Sequence, residues 1–213
     1  MTKIGAGADS ARSARLPRSA RRKQLLAAAQ EVFVAHGYHA AAMDDIAERA
    51  GVSKPVLYQH FPGKLDLYLA LMDTQAEALN AAIVDALEST DDNRERIHGV
   101  LSAYFDFVDG AARGDQGAFR LLFETDLGNE PAVRKRVEAL HRRTMRAVAD
   151  VVAVDTGLDR DSAELLSVAL TGAAQVAAGW WTEGRRVGKE RAVGLLEALL
   201  WRGISNFPLH EPS

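Results

Sequence analysis

The chain has 213 residues, a formal net charge of −3 at pH 7, and no cysteine, so disulfides, thiolate metal sites and thiol nucleophiles are excluded. Its length can bury a substantial core, either as one large domain or as a small domain joined to a larger one. No run approaches the roughly 18 apolar residues that span a membrane, and the first residues lack the apolar core of a signal peptide. We therefore expect a soluble, cytoplasmic protein with no membrane partner.

The first 23 residues are strongly basic. They hold seven lysines and arginines against one aspartate, a balance of +6, so the remainder of the chain carries −9. Such an arm attracts nucleic-acid phosphate, but the same composition also fits a disordered, solubilising tail. Both interpretations stay open for residues 1–17, which we take as a flexible arm, whereas Arg21 and Arg22 are predicted to contact DNA phosphate.

Residues 43–64, MDDIAERAGVSKPVLYQHFPGK, predict two short helices joined by a tight turn. Apolar residues recur at helical spacing at Met43, Ile46 and Ala47, and Gly51 follows as a residue able to take the left-handed conformation at a helix end. Ser53 is a candidate side-chain cap for the second helix, and Pro55 suits its first turn. This pattern is typical of a helix-turn-helix DNA reader.

The second of these helices is the predicted reading helix. Val52, Val56 and Leu57 suit packing against the first helix, which leaves polar and aromatic side chains facing outward. Gln59 suits adenine, and Lys54 suits guanine or a phosphate. Lys64 at the start of the next helix is predicted to hold a phosphate. The predicted DNA contacts in this segment are Ser53, Lys54, Pro55, Tyr58, Gln59, His60 and Lys64.

The rest of the chain reads as helices, with no alternating stretch that indicates a strand. The predicted fold class is therefore all-α, with a three-helix DNA-binding domain over residues 18–64 and a second helical domain over 65–213. Aspartates, glycines and Pro131 mark the boundaries. The predicted helices are Lys64 to Leu87, Asp92 to Asp109, Gln116 to Asp126, Pro131 to Val152, Asp161 to Thr182 and Lys189 to Asn206.

Apolar stripes in the second domain are candidates for a ligand pocket. Stripes of this kind form core more often than pocket, but a cavity in a helical protein lies between facing helices and is mostly apolar. The residues predicted to line such a pocket are Leu101, Tyr104, Phe105, Val108, Phe119, Leu122 and Phe123.

The last two helices carry wide apolar faces interrupted by small residues. Leu165, Leu166 and Val176 lie on one helix, and Leu196 and Leu199 on the other. These faces predict a homodimer, and the alternative is a monomeric core pair. A dimer would read a pseudo-palindromic operator whose half-sites lie about 34–36 Å apart, or a multiple of that distance.

An enzyme is not indicated. His36 and His39 are spaced three apart, but Gly37 between them ends the helix that would present both to a metal. Neither a phosphate-cradling glycine loop nor a G-x-S-x-G element is present. We predict no catalytic residue, no metal site and no cofactor. An architectural DNA binder without a ligand is the stronger rival, but it would not need the roughly 150 residues after Lys64.

The segment from Arg21 to Tyr68 resembles the TetR-type transcriptional regulators over its whole length. It includes the Phe-x-x-x-Gly-Tyr element as Phe33, Gly37 and Tyr38. Two departures bear on phosphate binding: alanines stand at 41 and 42 where many members carry threonines, and Asp44 stands where a basic residue is common. The resemblance implies a helix-turn-helix regulator whose second domain dimerises through a four-helix bundle.

Other sequence segments, such as DNRERIHGVLSAYFDFV and WRGISNFPL, resemble those of the acyl-CoA-responsive regulators of fatty acid synthesis in actinobacteria. That resemblance implies long-chain acyl-CoA as effector, lipid synthesis genes as targets, and basic residues at the pocket mouth. Candidate arginines are Arg94, Arg96, Arg142 and Arg143. The alternative is a TetR-type repressor of an efflux or catabolic operon that responds to another hydrophobic small molecule.

Overall fold

The computed structural model describes residues 16–110, 117, 122 and 127–202. In these ranges every regular element is an α-helix. The helices are α1 (Arg18–Ala40), α2 (Met43–Arg49), α3 (Lys54–His60), α4 (Lys64–Glu88), α5 (Asn93–Asp109), α6 (Pro131–Thr156), α7 (Arg160–Thr182) and α8 (Lys189–Arg202). The all-α fold class is confirmed.

The helix boundaries follow local capping chemistry. Asp92 accepts hydrogen bonds from the backbone N–H groups of Arg94 and Glu95, and Asp159 accepts one from Ser162. Helix α6 runs to Thr156, beyond the predicted end at Val152, because the residue able to take the left-handed conformation is Gly157, at φ 68°. The predicted Gln116 to Asp126 helix, apart from Gly117 and Leu122, and the chain beyond Arg202 lie outside the described residues.

Helix α1 contains a break at Gly37, where φ is 73° and ψ is 166°. This backbone conformation is almost confined to glycine, since a Cβ would clash with the backbone. The break separates the long part of α1 from its last three residues, which run back towards the start of α4. His36 and His39 therefore do not share an uninterrupted helix face, as predicted.

Helix α4 joins the helix-turn-helix to the helices behind it. It packs on α1 at one end and on α5 and α6 along the rest of its length, and Leu79 and Ile83 are fully buried. A buried hydrogen bond of 2.8 Å runs from the side-chain amide of Gln75 to the side-chain carbonyl of Gln30 on α1. Because a buried polar pair is costly to separate, α1 and α4 are expected to move together.

Behind α4, helices α5 to α8 form a bundle. Helix α6 packs against α7, and α5 contacts both α7 and α8. Arg96 on α5 bonds Asp155 on α6 at 2.6 Å and the Leu87 carbonyl at the end of α4 at 3.0 Å. None of the described helices is long and apolar enough to cross a membrane.

Candidate DNA-reading surface and ligand cavity

The turn between α2 and α3 is built as predicted. Gly51 takes the left-handed conformation, at φ 64°, and its N–H donates to the Glu48 carbonyl. The Val52 N–H donates to the Ala47 carbonyl at 3.0 Å, and Leu57 is fully buried under the turn. These contacts fix the orientation of α3 against α2.

Helix α3 presents the predicted outward face. The side chains of Ser53, Lys54, Pro55, Tyr58 and Gln59 are exposed, and His60 is half-buried. Pro55 lies in the first turn, as predicted. The predicted side-chain cap is wrong: Ser53 occupies the N-cap position, but its side chain makes no capping hydrogen bond. Its backbone carbonyl accepts hydrogen bonds from the backbone N–H groups of Val56 and Leu57. The Ser53 hydroxyl is therefore not used for capping.

Lys54 is engaged by an acidic neighbour. Its ammonium lies 2.6 Å from a carboxylate oxygen of Asp44 on α2, and the two side chains are 58% and 57% exposed. The hydrogen bond to Asp44 raises the pKa of Lys54, so the lysine is charged at neutral pH. The ammonium that is predicted to contact a base or a phosphate is therefore already paired with a carboxylate.

The other end of α3 is basic. Arg22 stacks its guanidinium over the Phe61 ring, 4.5 Å from the centroid, and Arg21 bonds Gln24, whose amide donates to the Ala50 carbonyl at the end of α2. Burial, followed by the positive charges of Arg18, Arg22 and Arg21, lowers the pKa of His60. These cations gather beside the reading helix, where a phosphate strand would run in a helix-turn-helix complex.

Lys64 has a role that the sequence did not suggest. Its ammonium donates to the carbonyls of Tyr38, His39 and Ala41, at 2.8, 3.2 and 2.9 Å. It also lies 4.6 Å from the centre of the Tyr38 ring. Since an ammonium has three N–H donors, all of them are used in closing the end of α1. These contacts favour a positioning role over the predicted phosphate contact.

A cavity of about 420 Å³ lies between α5, α6, α7 and the ends of α4 and α8. This volume falls within the range of small-molecule sites. Its polar groups, which include Arg96 and Asp155, gather near the end of α6. The aliphatic lining includes Leu87, Ile97, Val100, Leu101, Val148, Val151, Val152, Leu166, Leu170, Ala174 and Leu200.

Only part of the predicted pocket coincides with this cavity. Leu101 lines it, whereas Tyr104, Phe105 and Val108 are buried one to two turns further along α5 without lining it. Burial raises the pKa of the Tyr104 phenol to about 12. Leu122 is buried, and Phe119 and Phe123 lie outside the described residues. The predicted pocket did not include the residues of α6 and α7 that line the cavity, although the spacing of Val148, Val151 and Val152 indicates an inward face of α6.

The four candidate head-group arginines have different surroundings. Arg96 makes four hydrogen bonds at the end of the cavity, and Arg94 lies 2.5 Å from Glu197 on α8. Arg142 and Arg143 lie in a separate groove on the outer side of α6 and α7. Of these arginines, only Arg96 is at the apolar cavity.

The outer faces of α7 and α8 expose large apolar side chains. Leu165 and Val176 on α7 are 69% and 71% exposed. Isolated exposed apolar residues are normal, but eight large ones on two helices indicate an interaction surface. We call this set the apolar face; it consists of Leu165, Leu166, Val168, Val176, Trp180, Leu195, Leu199 and Trp201. Leu166 and Trp201 also line the cavity, so the cavity opens at the edge of this face.

The sequence matches the model of the TetR family of bacterial regulatory proteins over residues 25–71, and a tetracyclin-repressor-like C-terminal domain over residues 93–203. The chain therefore belongs to the TetR family of transcriptional regulators. A relative is the HTH-type transcriptional activator FasR of Mycolicibacterium smegmatis, which is 43% identical over 199 residues, covering 93% of this chain and 89% of that protein. The named relatives are transcriptional regulators and not enzymes.

Solved structures share the fold. A TetR-like transcriptional regulator from a Rhodococcus strain superposes with a TM-score of 0.71 at 30% identity, covering 91% of this chain and all of that one. The regulator FadR from Bacillus subtilis, solved in complex with stearoyl-CoA, superposes with a TM-score of 0.70 at 19% identity, covering 85% of this chain and 98% of that one. The second match supports the fold alone.

Proposed function

We propose that this TetR-family regulator controls lipid synthesis genes and that long-chain acyl-CoA modulates its binding to DNA. The observation that carries the proposal is the aliphatic cavity of about 420 Å³ between α5, α6 and α7. An acyl chain has no hydrogen-bonding groups, and a wall of valine and leucine side chains provides matching apolar contacts. Arg96 and Asp155 at one end of the cavity offer polar groups near which the chain would leave the apolar interior.

The relatives support the same proposal at two levels. The FasR relative, which is 43% identical over 93% of the chain, is a transcriptional activator. The segments DNRERIHGVLSAYFDFV and WRGISNFPL resemble those of fatty acid synthesis regulators. FadR, with the same fold, was solved with stearoyl-CoA. The fold is therefore able to accommodate such a ligand, and the aliphatic cavity of this chain is the proposed site for it.

The DNA-contacting groups are proposed to be those of the outward face of α3, together with Arg21 and Arg22. Tyr58 and Gln59 lie at the centre of this face, and Lys54 lies at its N-terminal end, where helix-turn-helix proteins contact base edges. Lys64 contributes by holding the end of α1 to the start of α4. The apolar face of α7 and α8 is proposed to form the homodimer that sets two reading helices on one pseudo-palindromic operator.

Helix α4 is the proposed link between cavity and DNA. Leu87 near its C-terminal end lines the cavity, Asp73 bonds Arg136 of α6 at 2.9 Å, and Gln75 bonds Gln30 of α1. A ligand that separates α5 from α6 and α7 would shift α4, and the buried glutamine pair would carry that shift to α1. Two arrangements of one packed body couple the sites in this way.

The test is binding to a promoter fragment from the fatty acid synthase locus of the source organism, at fixed salt, with acyl-CoAs of increasing chain length. We expect specific binding that is released by long chains and not by short ones or by free CoA. Specific binding without release rejects the effector and retains the target. No specific binding favours the alternative, a repressor of an efflux or catabolic operon whose small-molecule effector occupies the same cavity.

A further inference from the structure

The reading surface is electrically asymmetric along α3. At its C-terminal end, His60 lies in the field of Arg18, Arg21 and Arg22. At its N-terminal end, the single lysine of the helix is paired with Asp44 at 2.6 Å. Phosphate attraction is thus concentrated at the arginine end, whereas the end where helix-turn-helix proteins contact base edges is neutral.

The Asp44 carboxylate lies in the first turn of α2, where a negative charge favours the helix, but Asp45 in the same turn supplies such a charge as well. Asp44 is 57% exposed and its only described ion pair is with Lys54. The neighbouring Asp45 accepts the backbone N–H of Ala42 at the start of α2, at 3.4 Å, so that contact does not need Asp44. An uncompensated carboxylate here would be repelled by a phosphate strand, and the pair presents no net charge to the duplex.

We propose that Asp44 is a specificity-determining residue, which withholds the Lys54 ammonium from generic phosphate contacts until an operator supplies acceptors that replace the carboxylate. A random duplex gains little at this position, because the pair must be broken for a single screened phosphate contact. The operator offers the lysine a base-edge acceptor as well as the phosphate, so breaking the ion pair is offset there and not on a random duplex. The ion pair thus increases discrimination between the two duplexes and lowers the affinity for both. The inference rests on the proposed DNA contact of Lys54 and is independent of which genes are regulated.

The experiment uses two duplexes: one selected from a random pool by the full-length wild-type protein, and one of scrambled sequence. Affinity for both is measured over a range of salt concentrations for the wild type, Asp44→Asn, Lys54→Met and the double variant. Glu48→Gln is the matched control, because Glu48 is exposed one turn further along α2 and has no described ion pair. Circular dichroism verifies that each variant is folded.

Asp44→Asn is expected to raise affinity for the scrambled duplex by about five- to tenfold at about 0.1 M salt and to steepen the salt slope by about 0.9, since one more cation meets phosphate. Affinity for the selected duplex should rise less, so the specificity ratio falls by about threefold or more. In the Lys54→Met background, Asp44→Asn should leave the slope unchanged. Glu48→Gln should leave both slope and ratio near the wild-type values.

Three results would overturn the proposal. Equal effects of Asp44→Asn and Glu48→Gln would show a general charge effect, with the ion pair an ordinary surface pair of little consequence. The same slope change with and without Lys54 would remove the lysine from the explanation. An unaltered salt slope for the selected duplex in Lys54→Met would show that this lysine does not contact the operator. Because the duplex is selected by the protein itself, none of these outcomes depends on the lipid genes or on acyl-CoA.

Discussion

Lys54 and Lys64 are the first residues of consecutive helices, yet their ammonium groups meet different partners. Lys54 is exposed and pairs with one carboxylate. Lys64 reaches back across the break in α1 and donates to three carbonyls. The same residue type is thus proposed to serve DNA recognition at position 54 and positioning at position 64, and a pair of matched variants distinguishes the two roles.

Lys64→Met is expected to lower the free energy of unfolding by about 2 kcal/mol, because it removes charge-assisted hydrogen bonds to the end of α1. Urea denaturation measures this loss. The salt slope of DNA binding should stay unchanged, since no phosphate contact is removed. Lys54→Met is the control: it should reduce the salt slope for the selected duplex by about 0.9 and leave the unfolding midpoint unchanged. A reduced slope in Lys64→Met would restore this lysine as a phosphate contact.

His60 gives a prediction for pH. Burial and three arginines lower its pKa in the free protein, whereas a nearby DNA phosphate would raise it in the complex. The complex then binds more protons than the free protein, so operator affinity should increase as pH falls from about 8 to about 5.5. Fluorescence anisotropy with wild type, His60→Gln and the control His36→Gln checks this. A pH dependence that survives in His60→Gln would place the responsible group elsewhere.

At the scale of elements, the helical periodicity predicted α2 and α3 closely, and the aspartate caps marked the starts of α5 and α7. The cavity was harder to predict. The cavity is lined by the N-terminal half of α5, the C-terminal half of α6 and the middle of α7. The aromatic stripe of α5 predicted Tyr104 and Phe105 as lining residues, but these are part of the buried core. Apolar spacing identifies the inward face of a helix, but the crossing of three helices decides which part of that face leaves a space.

The cavity itself can be tested by filling it. Val100→Phe adds volume on the α5 wall, and Val154→Phe adds the same aromatic ring at an 83% exposed position of α6. We expect Val100→Phe to raise the acyl-CoA concentration needed for release from DNA by about tenfold, or about 1.4 kcal/mol, while binding without effector persists. Titration of the protein–DNA complex with acyl-CoA measures the change. Equal release by both variants would exclude this cavity as the effector site.

At the scale of the whole molecule, the apolar face of α7 and α8 is exposed in the part of the chain that the structure describes. Leu165, Val176 and Trp180 lie along one side of α7 and are exposed among the described residues. Burial of such side chains in a symmetric four-helix contact would stabilise a dimer and fix the separation of the two reading helices. Dimerisation would thereby determine operator spacing.

Leu165→Glu combined with Val176→Arg is expected to convert the proposed dimer to a monomer, because charged side chains would be buried in the contact. Operator affinity should then fall by about 10²-fold or more, since each monomer holds a single half-site. Sedimentation and DNA titration measure the two effects. Val154→Glu, on the exposed side of α6, should change neither. A double variant that remains dimeric would place the contact on another surface.

The sequence alone determined the helical fold, the helix-turn-helix and the outward face of α3, because these depend on local periodicity, on Gly51 and on residues adjacent along the chain. The tertiary structure decided the features that join distant residues. Lys64 meets carbonyls more than twenty positions away, Asp44 meets Lys54 across the turn, and the cavity forms where α5, α6 and α7 cross. Sequence spacing specifies which way a side chain faces, whereas the partner it meets depends on the packing of the elements against one another.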